Sequence, residues 1–483
     1  MKKVKKLIAL AVCAALVGST VLTGCGKSDG GEGSKGGKPV TLTWYTIGDE
    51  PKDLQLVEDE ANKYLEDKIN ANIDMKFIGF GDYSQKMSVI ANSGEPFDLA
   101  FTCSWAGDYV GNARKGAFLE LDSYIDEYGS EMKKSIDQRF WDGAKINGKT
   151  YAVPTQKELG VAPMWVFTKE YVDKYNIPYQ DLHTLEDLEP WLKVIKENEP
   201  DVVPLYSTEG FSYTVDYDLF FSGTLGIESD DENLKVINIF ETEEMKSNLK
   251  TLRKYYEAGY INADSAIAKD DKAVKRLVTK ADGQPHADTI WSNGLGYPVV
   301  SSPITDALIT SASTTGGMMA VGANSKNPEK AVELLNLLNT DKYFRNLIGY
   351  GIEGTHYEKV DENKIKILNP TEFKYDVPAF SLGDVFLTYI LEADPETKWE
   401  DFKTFNDESE MSPALGFQFD DENVRNEMAV INNVMEEFKQ TLYSGSVDID
   451  EYLGKLNTKL KEQGVDKVIA EMQSQVDEWK KTK

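Results

Sequence analysis

Val40-Thr41-Leu42-Thr43-Trp44-Tyr45-Thr46 opens the folded part of the chain, its β-branched and aromatic residues reading as a strand that a polar turn, Gly48-Asp49-Glu50-Pro51, brings to a stop. A helix follows, because Leu54, Val57, Ala61, Tyr64, Leu65, Lys68 and Ile69 recur at three- and four-residue steps on one face. Ile73-Asp74-Met75-Lys76-Phe77-Ile78 then alternates as a second strand, a helix is predicted over Tyr83–Ala91, and Asp98–Cys103 reads as a third strand. Strand and helix in strict alternation are the pattern of βαβ units, so the fold class is α/β, with mostly parallel sheets flanked by helices.

Downstream, Tyr151–Pro154 and Met164–Thr168 read as strands, and Thr184 to Asp187 has the spacing of a helix cap. Asn327-Pro328-Glu329 opens a helix running to Leu338. The last third is mainly helical: Val424, Met428, Ile431, Met435, Phe438 and Leu442 share a face, Gly445 ends that helix, and Gly464 separates two more. Upstream, residues 26–38 hold only glycine, serine and charge and read as a flexible tether. Before it, Lys2, Lys3, Lys5 and Lys6 precede an apolar run from Leu7 to Val17, and Leu22-Thr23-Gly24 leads into Cys25. Such an ending resembles a bacterial lipoprotein signal, which implies cleavage after residue 24 and a lipid on Cys25.

The 483 residues carry a net charge of −28, and removing the first 24 takes away four lysines and no acids, leaving −32. A charge of that sign repels phosphate backbones and anionic headgroups, which argues against nucleic-acid binding and a polybasic membrane surface. The length calls for two or three packed units. Cys13 leaves with the signal and Cys25 is the lipid site, so Cys103 has no partner for an intrachain disulfide and reads as a buried small hydrophobe. His183, His286 and His356 are isolated from one another and from cysteine, so zinc-type spacing is absent. Nucleophile elbows and phosphate loops are absent, and Gly79-Phe80-Gly81 lacks the third glycine of a dinucleotide fingerprint. Asp230-Asp231-Glu232 and Asp420-Asp421-Glu422 lack calcium-loop spacing.

In place of reactive motifs the chain sets aromatic rings beside short polar loops. Trp44-Tyr45 precedes Asp49-Glu50, Trp105 lies three residues before Asp108, and Trp291 sits among Asp288, Ser292 and Asn293. Sugars need this combination, since their C–H faces stack on flat rings while their hydroxyls seek carboxylates and amides. Core packing is the competing reading for Trp44, Trp165 and Trp191, and Trp141 reads as structural.

Ser93-Gly94-Glu95-Pro96-Phe97-Asp98-Leu99, Gly116–Asp122 and Asn147–Pro154, in that order after the lipobox, closely resemble the extracellular solute-binding proteins of ABC importers, in the oligosaccharide-binding group of maltose-binding protein. Asn327–Leu338, Tyr350–Tyr357 and Met411–Phe419 look like a lipoprotein subgroup with an added helical C-terminal region. The resemblance covers most of residues 40–483. It implies a two-lobed periplasmic-binding-protein-like (type II) fold: lobe 1 from residues 39–155 plus 302–352, and lobe 2 from 156–301 plus 353–483 with the helical region, after a signal peptide (1–24) and a lipidated linker (25–38). Hinge closure on a ligand between the lobes follows from that fold.

Carried over by position, Asp49 and Glu50 bond sugar hydroxyls, Trp105 and Asp108 stack and hydrogen-bond on lobe 1, Glu158 supplies an acid after the first crossing, and Trp291 and Phe417 offer rings from lobe 2. Trp44, Tyr213 and Tyr217 join them as ligand-binding candidates. Glu353, between Gly351 and Gly354, either reaches a ligand or packs on the hinge. The implied protein is a membrane-anchored receptor on the extracytoplasmic face of the bacterial membrane, held by its lipid alone. It is a monomer without cofactor or metal that hands a carbohydrate, an oligosaccharide, to ABC permease subunits. A secreted lipoprotein glycoside hydrolase is the alternative, with the same rings and carboxylates in its cleft. An anionic ligand would need a cation such as Arg114 or Arg345 among these acids.

Overall fold

The computed structural model describes residues 37–481 apart from 371 and 373. The signal sequence, Cys25 and most of the tether therefore lie outside the described residues.

Strand β1 (Val40–Ile47) pairs in parallel with β2 (Ala71–Ile78) over its whole length, from Val40 opposite Ala71 to Ile47 opposite Ile78. Helix α1 (Leu54–Ile69) connects them and buries Leu54, Val57, Ala61 and Leu65, the face that the spacing marks out. Each fully buried aliphatic side chain there contributes about 1.5–3 kcal/mol. Asn70, in the left-handed conformation at φ 52°, ends the helix and returns its N–H to the Glu66 carbonyl. After α2 (Tyr83–Ser93), β3 (Leu99–Thr102) pairs in parallel on the other side of β1. Strand β4 (Ala152–Pro154) completes the sheet, but the strand Met318–Val321 lies between it and β3, antiparallel to both. The chain returning from the other lobe enters this sheet at the edge where β3 and β4 end, so it can only run backward between them.

The second sheet is mixed. Its order is Val299–Pro303, β5 (Ala162–Thr168), Arg276–Gly283 and Val203–Leu205, with β5 antiparallel to both neighbours and the last pair parallel. Helix Leu185–Asn198 packs on it behind the expected capping box, in which Thr184 accepts from the Asp187 N–H and Asp187 from the Thr184 N–H, an arrangement stabilising the helix by about 1 kcal/mol. The C-terminal helices Arg425–Tyr443, Ile449–Glu462 and Val465–Lys480 bury Ile431, Phe438, Leu456 and Met472 in the same core.

Among the described residues the apolar side chains gather into two large cores, one around the first sheet and one around the second. Two short segments, 155–161 and 304–317, join them. One assignment from sequence is corrected: the stretch after residue 352 does not pass at once to lobe 2, because Tyr375, Val377 and Leu382 are buried in the first core. A small sheet, Tyr357–Lys359, Lys364–Ile367 and Ile390–Leu391, stands beside them, and the Tyr375 hydroxyl donates to the Ile348 carbonyl at 3.0 Å. The third crossing comes later, where Glu410–Met411 pairs with Leu308–Ile309. Cys103 is buried, its thiol donating to the Ala106 carbonyl, and burial pushes its pKa up to about 11, so it stays protonated.

Candidate functional site

Strands β1, β2, β3 and β4 all run the same way, so their carboxyl ends meet along one edge of the first sheet, the edge from which the chain crosses to lobe 2. Open α/β sheets bind ligands beyond such ends. Behind β1, Gly48 takes φ +133°, packs under Pro378 and turns Asp49 and Glu50 out to solvent. Behind β2 comes Phe80, 54% exposed between Gly79 and Gly81. Behind β3, Cys103 closes a tight turn on Ala106, and Trp105 at its tip is 53% exposed. Its indole N–H donates to the Gly316 carbonyl at 2.9 Å, so the ring is oriented while its face stays open. Behind β4, Glu158 ion-pairs with Lys157, whose Nζ lies 3.6 Å from where a Gly316 Cβ would stand. The 316 turn therefore ties Trp105 to the Lys157-Glu158 pair.

Asp108 sits beside them with a different duty. At φ 44° it caps α3 (Tyr109–Arg114), accepting from the Gly111 N–H at 3.1 Å and pairing with Lys115 at 3.5 Å, with its carboxylate still mostly exposed. Phe380, which the sequence reading missed, stands against Trp105 with ring centroids 5.8 Å apart and against Phe80 at 6.4 Å. No local pattern marks it, since it arrives from a segment more than 270 residues downstream of Trp105. Phe80 was open to the reading that found Trp105, a ring two or three residues past the end of a strand.

On lobe 2, Trp291 belongs to helix Ala287–Leu295. Its Cη2 lies 2.7 Å from the position a Cβ would take on Gly283, beside the Met164 sulfur, so only glycine at the end of that strand lets the indole lie there. The polar neighbours expected to meet a ligand are committed to the scaffold: Asp288 accepts from the Ser301 N–H and hydroxyl, and Ser292 Oγ accepts from the Val299 N–H at 3.0 Å.

Four ring candidates are corrected by burial. Trp44 points into the first core with no exposed surface, as the inward position of a paired strand dictates. Tyr213 is sealed against Trp165, the rings stacked at 5.7 Å. Tyr217 is buried with its hydroxyl on Glu244 at 2.8 Å and Thr242 at 3.1 Å. Phe417 is clamped edge-to-face between Phe220 and Trp479. Glu353 pairs with Lys359 at 3.4 Å and bridges to Tyr357 in the small sheet. Of the two arginines Arg345 is internal, pushed down to about 10 by burial with one N–H donating to the Ala379 carbonyl, and partly exposed Arg114 donates to the Gln418 and Phe419 carbonyls and pairs with Asp420 at 3.5 Å.

A cavity of about 1250 Å³ lies elsewhere, between Arg114, Lys145 and Asn147 on one side and Met411, Phe417 and Trp479 on the other. Asp49, Glu50, Phe80, Trp105, Glu158 and Trp291 are not among its walls. Phe417 is buried there edge-on against Trp479, whereas the strand-end edge carries rings more than half exposed, Phe80 and Trp105. The carboxyls pushed highest by burial, Asp218 and Asp384 at about 6, are buried and accept hydrogen bonds from Ser412 and Gln156.

Known proteins match this architecture closely. The bacterial extracellular solute-binding protein family matches residues 49–343, and a domain of unknown function, DUF3502, matches residues 413–481. A carbohydrate ABC transporter substrate-binding protein of Streptococcus pneumoniae serotype 4 is 35% identical over 478 residues, 96% of each chain. A crystal structure of the N-glycan transport solute binding protein NgtS from Streptococcus pneumoniae superposes with a TM-score of 0.84 at 34% identity, covering 91% of this chain and 98% of that one. Its complexes with Man1GlcNAc and Man5GlcNAc superpose at 0.74 and 0.72 with the same identity, covering 91% and 92% of this chain and 99% of theirs. With two α/β lobes, a ring-lined edge between them and matches of this extent, the chain belongs to the bacterial extracellular solute-binding proteins.

Proposed function

We propose that this protein is the substrate-binding component of an ABC importer, which captures a carbohydrate between its lobes and delivers it unaltered to the permease. The observation that carries the reading is Trp105: an indole more than half exposed, fixed through its N–H, among Asp49, Glu50 and Glu158 where four strand ends converge. Stacking on the open face and hydrogen bonds to the carboxylates supply the two halves of sugar recognition. Trp291 supplies a ring from the other lobe, so a ligand touching both favours the closed arrangement by its difference in affinity for the two states. The lower TM-scores of the glycan complexes at unchanged identity support a rearrangement of that kind.

The relative's glycans suggest the ligand class, a mannose- and GlcNAc-containing oligosaccharide. The lipobox places the monomeric body on the extracytoplasmic face through a lipid on Cys25, and lobe 1 comprises residues 39–155 with 302–352 and the following stretch to about 390. Incubating the soluble body from residue 38 with Man1GlcNAc and with Man5GlcNAc tests the reading. Unchanged glycan and a melting temperature that rises with its concentration are expected, a hundredfold excess over Kd adding about 2.7 kcal/mol. Released sugar would favour a hydrolase, and no shift with either glycan would sink the proposed ligand class. Radiolabelled palmitate incorporated by the full chain but not by Cys25→Ser checks the anchor.

A further inference from the structure

Trp105 is one end of a row. Phe380 stands between it and Phe80, at 5.8 and 6.4 Å by ring centroids, while buried Phe101 supports both Trp105 and Phe380 from below at 5.9 and 5.8 Å. Phe101 is itself held by Tyr83, which meets it edge-on and donates its hydroxyl to the Phe101 carbonyl at 2.7 Å. The row thus rests on packed core rather than on a loose loop. Its two ends are the exposed members, Phe80 at 54% and Trp105 at 53%, with Phe380 half-buried between them. A single sugar ring covers one aromatic face, so a monosaccharide seated on Trp105 leaves Phe80 in water. Asp49 lies on the adjoining turn, its Oδ1 3.5 Å from where a Cβ on Gly79, the residue before Phe80, would stand.

We propose that Phe80, exposed and backed by Phe380, forms a second sugar-ring subsite on lobe 1, separate from the one on Trp105, so that the protein selects an uncharged chain of at least two sugar rings. This inference rests on the carbohydrate-receptor reading and adds the length of the guest. Phe80 is solvent-exposed and its removal leaves the core intact, so folding and binding effects separate.

The test is a cycle of Phe80→Ala, Trp105→Ala and the double variant, with Phe80→Tyr as the conservative change, measured by titration calorimetry with the longer glycan of the binding test above. Phe80→Ala is expected to weaken binding about tenfold, Phe80→Tyr to restore it, and the double variant to lose roughly the product of the two single losses, as independent subsites require. All four should melt with the wild type to within a few degrees. Wild-type affinity in Phe80→Ala, or a double variant no weaker than Trp105→Ala alone, overturns the second subsite while leaving the receptor reading in place. A wild-type protein that binds neither glycan sinks the proposed ligand class and this inference with it.

Discussion

The two lobes dispose of their aromatic residues in opposite ways. On the first, Phe80, Phe380 and Trp105 stand at or near the surface over a buried base of Phe101 and Tyr83. On the second, Trp165, Tyr213, Tyr217 and Phe417 are all sealed, mostly against one another or under the C-terminal helices, and Trp291 alone of the candidates is left at the edge. Residue type does not separate the groups. Within and beside the strands position does: Phe80 and Trp105, just past the last paired residue of a strand, face out, and Trp44 and Trp165, inside a strand, point inward. Lobe 1 thereby presents rings at its surface, and lobe 2 keeps all but one of its candidate rings inside.

Substitutions on each side can break or sharpen that contrast. The largest effect is expected for Trp165→Ala, which should lower folding stability by about 3–5 kcal/mol in denaturant unfolding. Trp105→Ala should stay within about 1 kcal/mol of the wild type in the same assay. Equal destabilisation by both would mean the lobes do not differ as described. Next come Trp105→Ala and Trp291→Ala in binding, each expected to lose about 1–3 kcal/mol by calorimetry, and wild-type affinity in either would remove that ring from the site.

The third concerns pH. Asp218, which accepts from the Ser412 hydroxyl at 2.5 Å in the third crossing, and Asp384, which accepts from Gln156 at 2.8 Å in the first, are both raised by burial to about 6. An unfolded aspartate titrates near 3.9, so the folded state holds the proton more tightly. That contribution is complete below about pH 4 and lost as pH rises through about 6. Asp218→Asn should therefore flatten the stability curve between those values and gain on the order of 1 kcal/mol at neutral pH. Unfolding curves from pH 4 to 7 that decline as steeply as the wild type's would refute it. The smallest effect is expected for Asp49→Asn, a loss of about 0.5–1.5 kcal/mol in glycan binding with folding unchanged. A loss as large as that of Trp105→Ala would shift the weight of the site from rings to charge.

Much of this was legible in the amino-acid order. The β1-α1-β2 unit, the cap at Thr184, the helix beginning at Pro328 and the face of Arg425–Tyr443 follow from periodicity and capping, which are local. Trp105 and Trp291 were found because each lies close to the end of a strand or beside its own polar loop. Tyr213 and Tyr217 were not separable from them, since what buries them is packing against Trp165 and against Thr242 and Glu244, contacts that leave no local period. Phe380 and the late third crossing escaped for the same reason. The packing of 375–382 into the first core is a long-range contact that leaves no local period behind.

The strand Met318–Val321, lodged between β3 and β4, sets a schedule for the molecule. A polypeptide leaving the ribosome or a translocation pore amino end first releases β4 more than 160 residues before the piece that joins it to β3. Until then two apolar ribbons stand with open backbone edges, the condition in which chains stick to one another. Maturation must accordingly be late and nearly all at once, which favours a chaperone-held, unfolded passage and makes any early stop codon before residue 321 a route to aggregation rather than to a half-working receptor.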